Sequence, residues 1–294
     1  MFDPTDDQNI PQAKQAKRLS HIFHMPCSGI WQTVWLESVP KNHISDLNIA
    51  ADIHGNVTVA VHSSTTERTP VEIYIAGTGG EVIAQQQHTP ESPTLYNITV
   101  NMGDDEVKSY TGFRTISSGV VNGVKRPLLN GEFLLARQHL HPPTPEAMIY
   151  DLEVIKSLDN HHYAEPHCGT PWHSQPNAPY DANRIGLQGE FGRIGLRPAD
   201  ENLRPIEGAI RTINETYEIH AGIEPFHYRA HVLLDLLRQQ VERYACSGAV
   251  YTQTTDVEGE VNGLMTYDRR VVRVDVEKWK EDIRALYDAA KRRG

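Results

Sequence analysis

Apolar and polar residues alternate with a period of two through the first part of the chain and recur at helical steps in the last part. In Gly29–Glu37, Ile30, Gln32, Val34 and Leu36 share one face while Trp31, Thr33, Trp35 and Glu37 share the other. That pattern predicts a strand, and its tryptophan face needs a partner surface, because large apolar patches rarely stay exposed. Val57, Val59 and Val61 then alternate with polar or small neighbours, and Val71, Ile73 and Ile75 do the same before a turn at Thr78-Gly79-Gly80. Tyr96, Ile98, Val100 and Met102 make an apolar stripe opposite Leu95, Asn97, Thr99 and Asn101, and Glu106–Arg114 reads as one more strand. Short strands at such spacing, with no helical stretch between them, predict a β-sandwich over residues 41–118.

From residue 119 onward the pattern is α/β. Phe133–Ala136 reads as a short buried strand. A helix should follow, with Thr144 as N-cap, Pro145 at its first position and Met148, Leu152, Ile155 and Leu158 along one face. Arg184–Glu190 predicts a strand ending in a glycine-flanked glutamate, and 226–245 a long helix that buries Leu233, Leu236, Leu237, Val241 and Tyr244. Gly248–Thr254 is a strand, and a closing helix carries Val276, Trp279, Ile283, Leu286 and Ala290 behind a capping Asp275. Strands alternating with helices imply parallel pairing.

Composition narrows the function. The 294 residues carry a formal net charge of -10, with 22% charged and 39% apolar positions, ordinary values for a folded, soluble protein of roughly two domains. An acidic balance repels phosphate backbones, so nucleic acid is not an expected partner. No apolar run is long enough to span a membrane, and the acidic start Met1–Asp7 is no secretory signal. A cytoplasmic setting is the default expectation. Cys27, Cys168 and Cys246 are odd in number and lack CxxC spacing, which predicts reduced thiols rather than a disulfide framework or a zinc knuckle.

Three segments carry candidate chemistry. Glu190, between Gly189 and Phe191-Gly192, stands where a parallel strand ends, the place at which α/β active sites gather. Either it acts on a ligand or it accepts loop hydrogen bonds. His161-His162-Tyr163, with His167, Cys168 and His173, matches no common zinc spacing, so no metal is expected. These groups either orient a polar ligand or a nearby carboxylate, or form a satisfied loop cluster. Thr252–Glu260 is dense in acceptors and either holds a polyol or a cation or is a solvated loop, with Asn262-Gly263 as a turn. Trp172 either stacks on a sugar face or plugs a gap. No phosphate-binding glycine pattern follows a strand and no G-x-S-x-G elbow occurs.

Together these segments resemble glycoside hydrolase family 2, the β-galactosidase, β-glucuronidase and β-mannosidase group. Ser28–Glu37 resembles the strand closing that family's N-terminal sugar-binding jelly roll, and Asp105–Arg114 the end of its immunoglobulin-like domain. Leu129–Leu134 resembles its first barrel strand, Gly189–Gly192 strand seven with the nucleophilic glutamate, and Val250–Glu260 strand eight with its loop. The resemblance implies a multidomain β plus α/β architecture: a jelly-roll remnant at 1–40, an immunoglobulin-like β-sandwich at 41–118 and a (β/α)8 TIM barrel at 119–294. It implies retaining hydrolysis of β-glycosidic bonds by two carboxyl groups about 5–5.5 Å apart. Glu190 would be the nucleophile, and Tyr163, in a segment resembling strand six, would hydrogen-bond and tune it. His162, Tyr163 and Gln253 would bind a carbohydrate substrate, and no cofactor is implied.

The chain departs from the family in one decisive respect. The family's acid/base is a glutamate in an Asn-Glu pair closing strand four, and no Asn-Glu pair behind a hydrophobic strand occurs here; Asn214-Glu215 lies after Glu190. Asn130 to Gly294 spans only 165 positions, whereas a complete barrel takes about 250, with about 200 near the lower limit. The helix ending near Leu158 resembles the one after strand one, yet His161 already belongs to strand six, so strands two to five are absent from the pattern. The expectation is an incomplete barrel and a glycosidase impaired by loss of its proton donor, since general acid catalysis contributes about 10²–10⁴-fold. The alternative is a non-catalytic carbohydrate-binding or interaction remnant, or an incomplete gene product.

Overall fold

The computed structural model describes residues 14–17, 23–27, 29–30, 32–77, 88–90, 92–139, 157–163, 165–167, 181–205 and 218–293, with 136–139 and 157–160 described as backbone alone. The expected turn at 78–80, the helix from Thr144, His173, Trp172 and Asn214-Glu215 lie outside them. The chain divides into two compact units, residues 32–117 with 128–132, and residues 1–31, 118–127 and 133–294.

In the first unit, β1 (Ile44–Ala51) pairs antiparallel with β2 (Val57–Ser63). A second antiparallel sheet has the order β3 (Val71–Gly77), β4 (Tyr96–Met102), β5 (Asp105–Thr111). The apolar stripe on β4 is buried as its alternation requires: Ile98 and Val100 have no exposed surface and pack with Ile44, Leu47, Ile49, Val59 and Val61. Burying a side chain of that size stabilises by about 1.5–3 kcal/mol. The Asp105 carboxylate accepts the Ile44 amide at 2.7 Å inside this layer, tying the two sheets together. Val71, Ile73 and Ile75 do form a strand, but β3 is an edge strand whose side chains are exposed. The strand expected at 30–37 is not formed. Residues 33–40 are irregular, with Trp35 and Leu36 exposed, so the alternating pattern there pairs with no strand among the described residues.

A three-stranded sheet, β6 (Ile116–Val121), β7 (Val124–Leu129) and β8 (Glu132–Phe133), carries the chain from one unit into the other. Its two turns are Asn122-Gly123 and Asn130-Gly131, all four residues at positive φ, the chemistry that tight hairpins select.

The second unit holds β9 (Ala136–His139), β10 (Ser157–His161), β11 (Ile185–Gly192), β12 (Ile194–Leu196) and β13 (Glu218–His220). These are followed by α1 (Ile223–Arg243), β14 (Cys246–Thr252) and α2 (Val276–Arg293). Four strands form one sheet in the order β10-β11-β14-β9, with every pairing parallel. Both long helices form, with Leu233, Leu237 and Val241 buried as expected; Leu236 and Tyr244 are only partly buried, Leu234 is buried instead, and Val276 is exposed. Asp275 caps α2 by accepting the Lys278 amide at 3.1 Å. Phe226, Leu233, Leu237 and Val241 of α1, Leu286 and Ala290 of α2, and Phe191 and Tyr251 of the sheet make one core.

Several expectations are corrected here. The single strand expected at 133–136 is two: Phe133 ends β8, and the parallel strand starts at Ala136, because Asn130-Gly131 first turns the chain back on itself. Leu158, expected on a helix, lies in β10; one apolar residue fits either period until pairing decides. Strand β11 runs two residues past Glu190. Cys27 is free, as expected of a reduced thiol, but Cys246 is disulfide-bonded, since spacing along the chain says nothing of which sulfurs meet in space. No helix among the described residues is long and apolar enough to cross a membrane.

Candidate active site

Strand β11 carries both core and site residues. Phe191 points into the helix-covered core, packing edge-on against Tyr251 with ring centroids 5.4 Å apart. Gln188 and Glu190 lie where the register of β11 shifts against both of its neighbours. The β10–β11 pairing sets His161 beside Glu190, and just beyond the end of β10 the Tyr163 hydroxyl donates a short hydrogen bond to Glu190 Oε2. His161 Nδ1 stands 3.7 Å from that same oxygen. Below them Gln188 is fully buried; its Nε2 donates to the Glu190 carbonyl at 2.8 Å and the His162 carbonyl at 3.2 Å, and its Oε1 accepts the His167 amide at 3.0 Å. The segment carrying His162 and Tyr163 is thus fixed to the strand carrying Glu190. Burial, and then the hydrogen bond to Glu190, push the Tyr163 phenol above its ordinary pKa, so it remains a donor at neutral pH.

Gly192 turns the chain at φ +98°, where a Cβ would stand 2.5 Å from the Tyr251 ring. Arg193 follows at φ +54°. Its guanidinium carbon lies 4.4 Å from the Tyr163 ring centroid, and its Nη2 donates to Glu260 Oε1 at 2.7 Å. Gln253 Nε2 donates to Glu260 Oε2 and to Asn262 Oδ1, each at 3.3 Å. Glu190, Tyr163 and Gln253 are therefore joined through Arg193 and Glu260. His162 contributes its backbone amide to the Glu190 carbonyl at 3.2 Å, while its ring lies 4.5 Å from the His167 ring and its Nδ1 2.5 Å from the Glu165 carbonyl oxygen.

The segment 252–263 is not a solvated loop. Asp256, Glu258, Glu260 and Asn262 are all buried. Asp256 forms a bidentate pair with Arg273, and both the Gly263 amide and the Gly263 carbonyl join it. Acceptor density along the sequence looked like exposure because the matching cations, Arg193 and Arg273, are distant in sequence. Arg193 and Glu260 were missed for that reason, although a cation three residues after the glutamate was a usable signal. Thr252 Oγ1, Thr254 Oγ1 and Asn262 Nδ2 are buried without a hydrogen-bond partner among the described residues. Among those residues no group of three or more His, Cys, Asp or Glu could hold a metal ion.

This arrangement, a carboxylate on a parallel strand within a strand-rich chain, goes with a fold like that of family 2 glycosidases. Solved structures with that fold include a β-glucuronidase from Ruminococcus gnavus in complex with D-glucaro 1,5-lactone, 13% identical, covering 84% of this chain and 69% of that one with a TM-score of 0.50. A family 2 β-galacturonidase from Eisenbergiella tayi bound to galacturonate is 14% identical, with coverage of 85% and 73% and a TM-score of 0.50. At such identity the likeness is one of fold. No family model and no curated protein matches the sequence.

Proposed function

We propose that the chain is a family 2-type retaining β-glycosidase remnant acting on a carbohydrate, with Glu190 as nucleophile and Tyr163 tuning it. His162 and Gln253 line the sugar site. The observation that carries this reading is the Tyr163 hydroxyl bound to Glu190 Oε2 on a parallel strand. A phenol held there keeps the carboxylate directed and hydrogen-bonded. The unpartnered Thr252, Thr254 and Asn262 groups supply donors and acceptors suited to a polyhydroxylated ligand. The order β10-β11-β14-β9, all parallel, supports reading these strands as the sixth, seventh, eighth and first staves of an incomplete (β/α)8 barrel. The 41–118 sheets are then the immunoglobulin-like domain, and residues 1–40 the jelly-roll remnant.

The chemistry follows from the groups present. A Glu190 oxygen attacks the anomeric carbon opposite the leaving oxygen; the new C–O ester bond forms as the glycosidic bond breaks, and its electron pair departs with the leaving group. Water then attacks that carbon, restores the Glu190 carboxylate and loses a proton. The first step needs a proton for an alkoxide leaving group, and no Asn-Glu pair behind a hydrophobic strand precedes Glu190 to give it. A natural glycoside is therefore slow by about 10²–10⁴-fold, whereas an aryl glycoside, leaving as a stabilised phenolate, is not.

A panel of dinitrophenyl β-glycosides, glucuronide and galacturonide included, tests this. Release that disappears in Glu190→Gln, with mass labelling of the Glu190 peptide by a 2-fluoro glycoside, is the expected result. Release undiminished in Glu190→Gln refutes it, and sugar binding without release favours the non-catalytic reading.

A further inference from the structure

Arg193 is buried, with 4% of its surface exposed, and held at φ +54°, a conformation that is unfavourable for a non-glycine residue. Its backbone amide donates to the Thr252 carbonyl at 2.9 Å, which locks the chain in that turn. A buried ion pair such as Arg193–Glu260 is seldom better for stability than well-packed apolar residues of the same volume. The conformation and the burial are both unfavourable for folding, so a structural role accounts poorly for an arginine here. What its placement does achieve is contact with Tyr163: the guanidinium plane lies over the ring that donates to Glu190.

We infer that Arg193, clamped by Glu260, is a positioning residue that fixes the Tyr163 phenol so that its hydroxyl holds the Glu190 carboxylate on line. The inference rests on the reading of Glu190 as nucleophile. Tyr163 lies beyond the end of β10, so strand pairing does not itself set the direction of its ring. A cation over the ring face does, by its attraction to the ring's electron density, and it also draws that density from the phenol. Glu260 sets the position of that cation through the 2.7 Å contact, and Gln253 steadies the other Glu260 oxygen. Arg193 and Glu260 act through Tyr163 and do not touch the sugar.

The full chain, labelled with 3-fluorotyrosine to bring phenol ionisation into an accessible pH range, allows a test by ¹⁹F NMR with Tyr163→Phe assigning the resonance. Arg193→Gln should raise the Tyr163 midpoint by about one pH unit, Arg193→Lys by less, and Glu260→Gln should lower it, because the guanidinium charge is then unopposed. In rates of aryl glycoside release, Arg193→Gln should cost about tenfold in the Tyr163 background and less than about twofold in Tyr163→Phe, since coupled residues are non-additive. A folded Arg193→Gln protein with an unmoved Tyr163 midpoint, or an equal rate loss in both backgrounds, overturns the inference. A wild-type chain that releases no aryl group sinks the reading of Glu190 instead, and the ¹⁹F midpoints then decide the Arg193–Tyr163 coupling by themselves.

Discussion

Replacing Arg273 by methionine removes one half of a buried pair and leaves the other half stranded. The Arg273 and Asp256 side chains are only 2% and 4% exposed. Besides the guanidinium, the Asp256 carboxylate accepts the Gly263 amide at 2.9 Å, and Arg273 Nη1 also donates to the Gly263 carbonyl at 3.0 Å. Without Arg273 an ionised carboxylate would stay in the interior with one backbone donor. Stranding a buried charge in this way costs about 3–5 kcal/mol. For a unit of this size that is a fall in Tm of about 6–20 °C, at roughly 2–4 °C per kcal/mol. The double variant Asp256→Leu with Arg273→Met, which removes both charges, should recover most of the loss. The exposed pair Lys278–Glu281, 3.4 Å apart, is the control, and breaking it should cost under about 1 kcal/mol. Heat and urea unfolding followed by near-ultraviolet circular dichroism give the comparison. An Arg273→Met protein within about 1 kcal/mol of wild type would refute the reasoning, since it means that water reaches Asp256. Because this pair anchors the segment bearing Gln253 and Glu260, the variant should also loosen the Glu260–Arg193 contact.

Three further outcomes are expected. Gly263→Ala places a Cβ 2.3 Å from the nitrogen of the Thr255–Asp256 peptide and 2.6 Å from the Met265 carbonyl oxygen; these backbone atoms cannot yield, so the variant should lose about 1–3 kcal/mol in urea unfolding, and a neutral result shows the loop to be looser than described. Asp268 is held down to about 2 by the Thr266 hydroxyl first and the Asn202 amide second. A depressed folded-state value means that its stabilisation is present above about pH 4 and fades as pH falls toward about 2, so Asp268→Asn should flatten the acid limb of Tm against pH in that window, and an unchanged limb refutes this. Tyr163, raised by burial and by its bond to Glu190, should ionise at lower pH in Glu190→Gln, where the negative acceptor is gone; the same ¹⁹F titration checks the direction, and a midpoint that rises contradicts it.

The site was legible in the sequence to the extent that local signals described it. Glu190 in its glycine frame and the His-His-Tyr segment were both picked out by residue type and spacing, and β10–β11 pairing does bring Tyr163 to Glu190. Arg193 and Glu260 were not singled out, because neither residue has a motif of its own; their meaning arises from being 2.7 Å apart while 67 positions apart along the chain. For the same reason the sequence leaves the Thr252–Glu260 stretch open between a ligand site and a solvated loop, and burial excludes the second. Charge density along the chain measures hydrophilicity, not solvation, and a buried carboxylate is tolerated wherever a distant arginine meets it. The tryptophan-bearing segment differs in the opposite sense, its alternation being strong while no described strand pairs with it.

Local periodicity by itself determined the two long helices, the buried stripe of β4 and the presence of strands at Glu190 and Tyr251, since a side chain's direction follows from its own backbone. Only the tertiary structure decided which strands are neighbours, which of two apolar faces finds cover and which charges are buried together. Those depend on residues far apart in sequence closing on one another, and the free energy of such contacts belongs to the pair and not to either residue alone.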